Sequence, residues 1–582
     1  MSGHVVDNID NIDNVDNIDS IEDEKNVKDL QPVDVEVNDA LGESEDVKVD
    51  VHTHLYDGVQ RKMKQRHMQM IGLAGTLGTG LFLGSGKTIR QGGPLGALLA
   101  YMQTGSMSYC MPISGGYVHY AERWLHPSAG FALGWQAVLS HSISLPNELI
   151  SATILIGYWD TSELHSSSYT DIHSRGQPAD VASLAMTNAQ TAGYLTMLMI
   201  LCAGINFFGA RWFGESEFWF SLIKILLITG LILAGLIVDL GGNPAHERIG
   251  FRYWKNPGPF VEYLFTGAKG HFAGFFIDLV QAAYSFLGME SIAIAAGEVQ
   301  NPRVSVAQAV KRVFIRICLF YVVGILIIGM LVPSNDPQLL AATGTTAASS
   351  PFVIAFSRLG IKALPSIINA CVLTSAFSSG NTGVYISSRM LYGLALRGQA
   401  PKIFVKTTRG GLPFVALIFV ICFMPLCYMT LASGAETVLN WLTHLTALSG
   451  ILVWCTIACT YIRFKKGLDA QGIDRTKFIY WNRFQPFPAI WTIFWCCIVL
   501  LFNGWTVFTR GNWNVSNFLV AYINLPLFFG AIFLHWLKHG RKNFVPPAEL
   551  DMVSNIPSDK DVSYKEPPPK NFFTKVVAFL FT

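Results

Sequence analysis

Four ionisable side chains lie where the sequence offers them little water. Lys224, Glu148, Glu290 and Asp278 are set inside long apolar runs, far from the nearest polar stretch. A charge at the centre of a bilayer costs about 2.5–3.5 kcal/mol on insertion scales, so each must face a protein interior or an aqueous path. A lysine in such a place loses the solvation that holds its proton. Lys224 is therefore a candidate for proton exchange, with a structural partnership to a nearby carboxylate or carbonyl as the plain alternative. Glu148 follows Pro146 by two residues, and the carbonyl that proline frees also needs a partner, so Glu148 is either a polar site or part of that repair. Asp278 reads as a residue near the outer interface. His141 and His444 read as packing residues.

Glycine supplies the second chemical signal. Gly72, Gly75, Gly78 and Gly80 weaken any helix that carries them. A milder break recurs at Ser285-Phe286-Leu287-Gly288-Met289-Glu290. Paired interruptions at corresponding places in two halves point to an inverted-repeat transporter and its binding site. An unwound turn bares amide N–H groups that can hold a carboxylate and carbonyls that can hold an ammonium, which suits a free amino acid. Close packing of small residues against neighbouring helices is the other reading of the same glycines.

The elements that must position these groups are membrane helices. Of 582 residues only 14% are charged and 51% are hydrophobic, well below the usual charge content of soluble domains. Twelve candidate spans run Met68–Thr88, Pro94–Pro112, Gly130–Trp159, Ala192–Phe208, Phe218–Leu240, Phe272–Gly297, Val313–Val332, Leu364–Leu396, Phe414–Leu431, Val438–Ile462, Pro488–Phe508 and Phe518–Leu537. Most reach the ~20 residues a helix needs to cross ~30 Å of hydrocarbon, and runs without alternation are helices rather than barrel strands. Lys402, Lys406 and Arg409, and later Arg463, Lys465 and Lys466, gather in loops on one side. By the positive-inside rule that side is cytosolic, with both termini. Residues 1–60 are an acidic tail built on a D-N-[IV] repeat, too poor in apolar surface to order itself and unlike a signal peptide. Residues 61–540 form the membrane domain and 541–582 a second cytosolic tail.

Several function classes are excluded. A net charge of +2 with no basic run among aromatics speaks against nucleic acid. The ten cysteines lie in apolar runs without framework or zinc spacing, so neither a disulfide scaffold nor a metal site is expected. Leu83-Gly84-Ser85-Gly86-Lys87-Thr88 mimics the end of a phosphate loop, but Leu81 stands where that loop requires glycine. No motif supports an enzyme, and no cofactor is expected.

Gly75 through Gly86, Leu145-Pro146-Asn147-Glu148-Leu149, Gly214-Glu215-Ser216-Glu217-Phe218-Trp219, Gly297-Glu298-Val299-Gln300-Asn301-Pro302-Arg303 and Ser387-Ser388-Arg389-Met390-Leu391-Tyr392-Gly393 follow one another in a recognisable order. With them the chain resembles the fungal amino-acid permeases of the amino acid–polyamine–organocation superfamily. The resemblance covers roughly residues 60–550. It implies a LeuT-like fold of five-plus-five inverted helices with two appended, and proton-driven amino-acid uptake at the plasma membrane. It further implies that Gly78, Thr79 and Gly80 offer amides to the substrate carboxylate, and that carbonyls around Ala74, Gly75, Thr76, Ser285 and Phe286 receive its ammonium. Phe286 would help close the pocket and Lys224 would couple protons; Glu290 is counted with the substrate-binding residues as an intramembrane charge at the second break. Loop details such as Gly472-Ile473-Asp474-Arg475 resemble the dicarboxylic subgroup, which suggests acidic amino acids as cargo. Lys25 and Lys28 of the tail are family-level candidates for ubiquitin. Two departures stand out. The chain is about eleven residues short before Pro112, which removes ~16 Å of helix and predicts a stunted second span. Ser162–Gln190 is an outer insertion. These departures keep a second reading in play, a non-transporting amino-acid receptor on the same scaffold.

Overall fold

A computed structural model describes residues 70–72, 75–110, 116–160, 187–243, 246–290, 294, 318–341, 350–358, 363–474, 483–539 and 543–552. All regular structure among the described residues is helical. Five helices are long and apolar enough to cross a membrane: Asn188–Phe207, Ala210–Asp239, Phe414–Ser433, Ala435–Ala470 and Phe487–Phe508. The bent pair Val515–Tyr522 and Asn524–Lys538 makes a sixth if taken as one span. Three further long helices, Gly84–Cys110, Pro127–Asp160 and Leu364–Leu396, carry more Gly, Ser, Thr and Asn. Hydropathy is diluted in them because they pack against one another and against the other helices, with many of their small polar residues buried.

Polarity is inverted relative to a soluble bundle. On the helix Ala210–Asp239, Trp212, Trp219, Leu226, Leu233 and Ile237 are exposed, while Glu217, Ser221 and Lys224 are buried. Only an apolar solvent makes that arrangement favourable, with charges turned to the bundle interior. The chain is a multi-pass membrane protein.

Helix boundaries follow local chemistry. Thr187 and Gln190 form a reciprocal capping box that starts the helix at Asn188. Gly209, at φ 88°, takes a left-handed turn and lets the next helix begin at Ala210, eight residues before the predicted Phe218. That earlier start draws Glu217 into the helix. The first and second predicted spans join through Gly93 at φ 79°, where Pro94 opens the second limb. From Pro94 to Cys110 the described part of this limb rises about 25 Å, and residues 111–115 lie outside the described residues.

The segment after the last span folds back as a strap. Trp124 donates to the Asp551 carbonyl at 3.0 Å, Gln471 donates to the Leu550 carbonyl at 2.6 Å, and Arg123 pairs with Asp551. Leu550 and Met552 bury themselves against Leu468, close over Gly467. Burying two such side chains contributes about 1.5–3 kcal/mol each. Leu550→Asp is expected to release the strap, so limited proteolysis should cut near residue 545 several-fold faster than in the parent chain. An unchanged cleavage rate would show that the strap is held elsewhere.

Candidate functional site

The two interrupted helices meet. At the first break Leu77 and Gly78 leave the helix, and a short helix Thr79–Phe82 resumes. At the second, Ala268–Phe286 ends and Gly288 adopts φ 91°. A Cβ on Gly80 would lie 2.7 Å from the Ser285 Cα, and one on Gly288 would lie 2.7 Å from the Gly75 carbonyl. Further along, a Cβ on Gly84 would strike Gln281, and one on Gly274 would strike Gly92. The contacts step in opposite directions along the two segments, so the broken helices run antiparallel and touch backbone to backbone. Glycine at 80 and 288 is required by that approach.

Breaking a helix frees carbonyls, and most of these are satisfied by side chains from elsewhere. Ser375 donates to Leu77 at 2.6 Å, Tyr101 to Gly80 at 3.2 Å and Ser350 to Phe82 at 2.8 Å. The carbonyls of Thr76 and Ser285 are served differently. Both lie 2.7 Å from the Tyr321 hydroxyl, which has a single hydrogen to share. One carbonyl from each break thus converges on a single hydroxyl, the Thr76 carbonyl also accepting from the Gly78 amide, and such paired acceptors suit an ammonium.

The amide side is occupied by the protein's own carboxylate. Glu148 Oε2 accepts from the Thr79 hydroxyl at 3.0 Å and lies 3.4 Å from the Thr79 amide. Its Oε1 accepts from Tyr284 at 2.8 Å, and Asn147 links Tyr284 to Thr443. The Gly78 amide turns back to the Thr76 carbonyl at 2.8 Å.

Two cavities adjoin this centre. The larger, about 120 Å³, is lined by Thr79, Gly80, Lys87, Gln281, Tyr284 and Asn440 among others. The smaller, about 30 Å³, touches Thr76, Gly78, Glu148, Ser285, Gly288 and Thr382. Gly80 and Tyr284 line both, so the Tyr284 side chain stands between them. That is room for about two or three waters, so an amino acid enters the smaller cavity only if Tyr284 or the broken segments shift.

Gly75, Thr76, Gly78, Thr79, Gly80, Ser285 and Glu148 are brought together here. Phe286 is placed differently: its ring is buried against Tyr321 at 4.5 Å and Tyr101 at 6.1 Å and lines neither cavity. Glu290 accepts long bonds of 3.4 Å from the Gly288 amide and the Trp454 indole and also lines neither. Asp278 is fully buried against Gly92, with no hydrogen-bond partner for either oxygen. Ala74, Lys25 and Lys28 lie outside the described residues.

Sequence reading missed a second buried polar network. Glu217, buried at 0% exposure, accepts from Ser378 at 2.5 Å and from Asn381 at 2.6 Å, and Asn206 donates to Asn381 at 2.7 Å. Lys224, two turns further along the same helix face, is within electrostatic range of both Glu217 and Glu148. The spacing Glu217, Ser221, Lys224 was the available signal, hidden by a span taken to start at Phe218.

Comparison with known proteins decides the family. The family model described as amino acid permease matches residues 67–545. The chain belongs to the amino acid permease family. Within it, this permease is 38% identical to a dicarboxylic amino acid permease of Saccharomyces cerevisiae, over 81% of this chain and 76% of that protein. It is 35% identical to a proline-specific permease of Emericella nidulans, over 87% and 90%. With a lysine/arginine permease of Candida albicans it shares 32% identity over 96% and 97%. Relatives with acidic, neutral and basic substrates in their names all match along most of the permease, so the shared part is the scaffold and its amino-acid transport.

Proposed function

We propose that this permease is a proton-coupled importer of amino acids, glutamate and aspartate among them. It works in the plasma membrane with both termini in the cytosol, on a LeuT-like frame of two inverted five-helix repeats and two added helices. The observation that carries this reading is the antiparallel contact of the two helix breaks, with the Thr76 and Ser285 carbonyls converging beside the Thr79 amide. A zwitterion has a cation and an anion within one small group, and this centre presents both acceptors and donors. Binding exchanges partners already in place: the ammonium takes over carbonyls from Tyr321, and the carboxylate takes over Thr79 from Glu148.

Lys224 and Glu217 supply the coupling. Both are buried beside the first break, and Lys224 also feels Glu148, which holds the amide that the substrate needs. A proton arriving in this group changes the charge facing Thr79, and so ties substrate binding to protonation. Tyr284 takes the closing role, because it separates the two cavities and is itself bonded to Glu148. Cargo with a second carboxylate is suggested by the dicarboxylic relative.

Uptake of labelled glutamate, alanine and lysine into permease-deficient cells, at pH 5 and pH 7.5, tests the reading. Uptake should be several-fold faster at pH 5 and should collapse when a protonophore dissipates the gradient. A surface-resident protein that moves no amino acid at either pH would end it.

A further inference from the structure

The larger cavity holds a lysine that the transport mechanism leaves unused. Lys87 lies in the helix that follows the first break, and its ammonium donates to the Asn440 side-chain oxygen at 2.7 Å across the cavity. Among the described residues no carboxylate pairs with it; its hydrogen-bond partner is a neutral amide. Arg90 and Glu436 line the same cavity, which leaves it one positive charge in excess with Lys87 counted. Asp278 is in electrostatic range, but it is buried against Gly92 and makes no hydrogen bond to the lysine.

Position gives this charge a use. Asn440 precedes Thr443 by one helical turn, and Thr443 is joined through Asn147 to Tyr284. Lys87, Asn440, Thr443, Asn147 and Tyr284 all line this cavity, so the lysine faces the same space as the Tyr284 barrier. Lys87 stands in the first turn of Gly84–Cys110, the helix that follows the short Thr79–Phe82 segment. Thr79 and Gly80 line the cavity that holds Lys87, so the first break and the lysine share one space.

We propose that the larger cavity is a selectivity subsite, in which Lys87 takes the side-chain carboxylate of an anionic amino acid in exchange for the Asn440 oxygen. The exchange replaces a neutral acceptor with an ionised one, and charge-assisted hydrogen bonds are roughly twice as strong as neutral ones. An alanine or proline side chain has nothing to offer Lys87, so the ammonium stays with Asn440 and the subsite adds no affinity. This inference rests on the importer reading above and adds the residue that selects among its cargo.

The test compares glutamate and alanine uptake by the full chain in permease-deficient cells, with surface protein quantified for each variant. In Lys87→Gln the ratio of glutamate to alanine kcat/KM should fall at least tenfold, and Lys87→Arg, which keeps the charge, should hold it within about threefold. Asn440→Ala removes the competing acceptor and should raise the ratio, which keeps the proposal testable if Lys87→Gln fails to reach the surface. A Lys87→Gln ratio within twofold of the parent, or equal losses for both amino acids, overturns the subsite and leaves the importer reading standing. A parent chain that carries alanine but no glutamate overturns the subsite together with acidic cargo. A parent chain that carries neither brings down the importer reading itself.

Discussion

Gly80→Ala is expected to abolish most uptake while the protein still reaches the cell surface. The added methyl would sit 2.7 Å from both the Ser285 Cα and its Oγ and 3.0 Å from its Cβ. Backbone cannot swing aside as a flexible side-chain end can, so relief requires the two broken helices to part. Overpacking of this kind costs about 1–3 kcal/mol, and each 1.4 kcal/mol is tenfold. Parting the breaks also pulls the Thr76 and Ser285 carbonyls away from their common point at Tyr321. Uptake should therefore fall about 10- to 100-fold. Gly288→Ala should do the same or worse, since it adds a left-handed φ of 91° to a 2.7 Å approach on the Gly75 carbonyl. Gly204→Ala is the control: nothing lies within 4 Å of its Cβ, and alanine is the better helix former. Uptake by Gly80→Ala at the parent rate would show that the breaks need no close contact, and the substrate centre described here would lose its basis.

How far the sequence revealed this centre depends on the range of the interaction. The two breaks were legible because glycine acts locally: a run such as Gly75 to Gly80 weakens its own helix whatever surrounds it. The buried charges were legible for the same reason, since Lys224 and Glu148 are surrounded in sequence by the apolar residues that exclude water. Tyr321 and Tyr284 were not. Each is an ordinary aromatic in an apolar helix, and only packing brings the hydroxyl of Tyr321 to two carbonyls more than thirty residues from it. Phe286, to which the family resemblance gave the closing of the pocket, packs its ring on Tyr101 and Tyr321, contacts that a linear motif does not reveal. Glu217 fell between the two cases. Its helix begins at Ala210 because Gly209 takes a left-handed turn, and a boundary set by hydropathy alone placed the carboxylate outside. Lys87 was visible only as part of a false phosphate loop, and its cavity and its Asn440 partner come from helices far away in sequence.

The pair Glu217 and Lys224 yields the second large effect, and it separates structure from coupling. Lys224→Met removes the cation that Glu217 and Glu148 feel. It leaves Glu217 buried with only the neutral donors Ser378 and Asn381. Removing one member of a buried charged pair typically costs about 3–5 kcal/mol, because the survivor stays charged without compensation. The thermal midpoint of the purified protein should drop by several degrees, and accumulation at pH 5 should lose its advantage over pH 7.5. Glu217→Gln in the same chain keeps the acceptor for Asn381 and removes the stranded charge. The double variant should therefore recover much of the midpoint lost by Lys224→Met alone, a non-additivity expected of groups that share one network. Recovery of stability should not bring back pH-dependent accumulation, since no group at position 224 can then take or release a proton. Substrate exchange across the membrane, which needs no net proton movement, should persist in the double variant. Additive midpoints would mean that the two residues are not partners, and a double variant with restored pH dependence would remove Lys224 from the coupling. The stability of the pair and its function thus rest on the same charge, but only the first can be repaired by neutralising its partner.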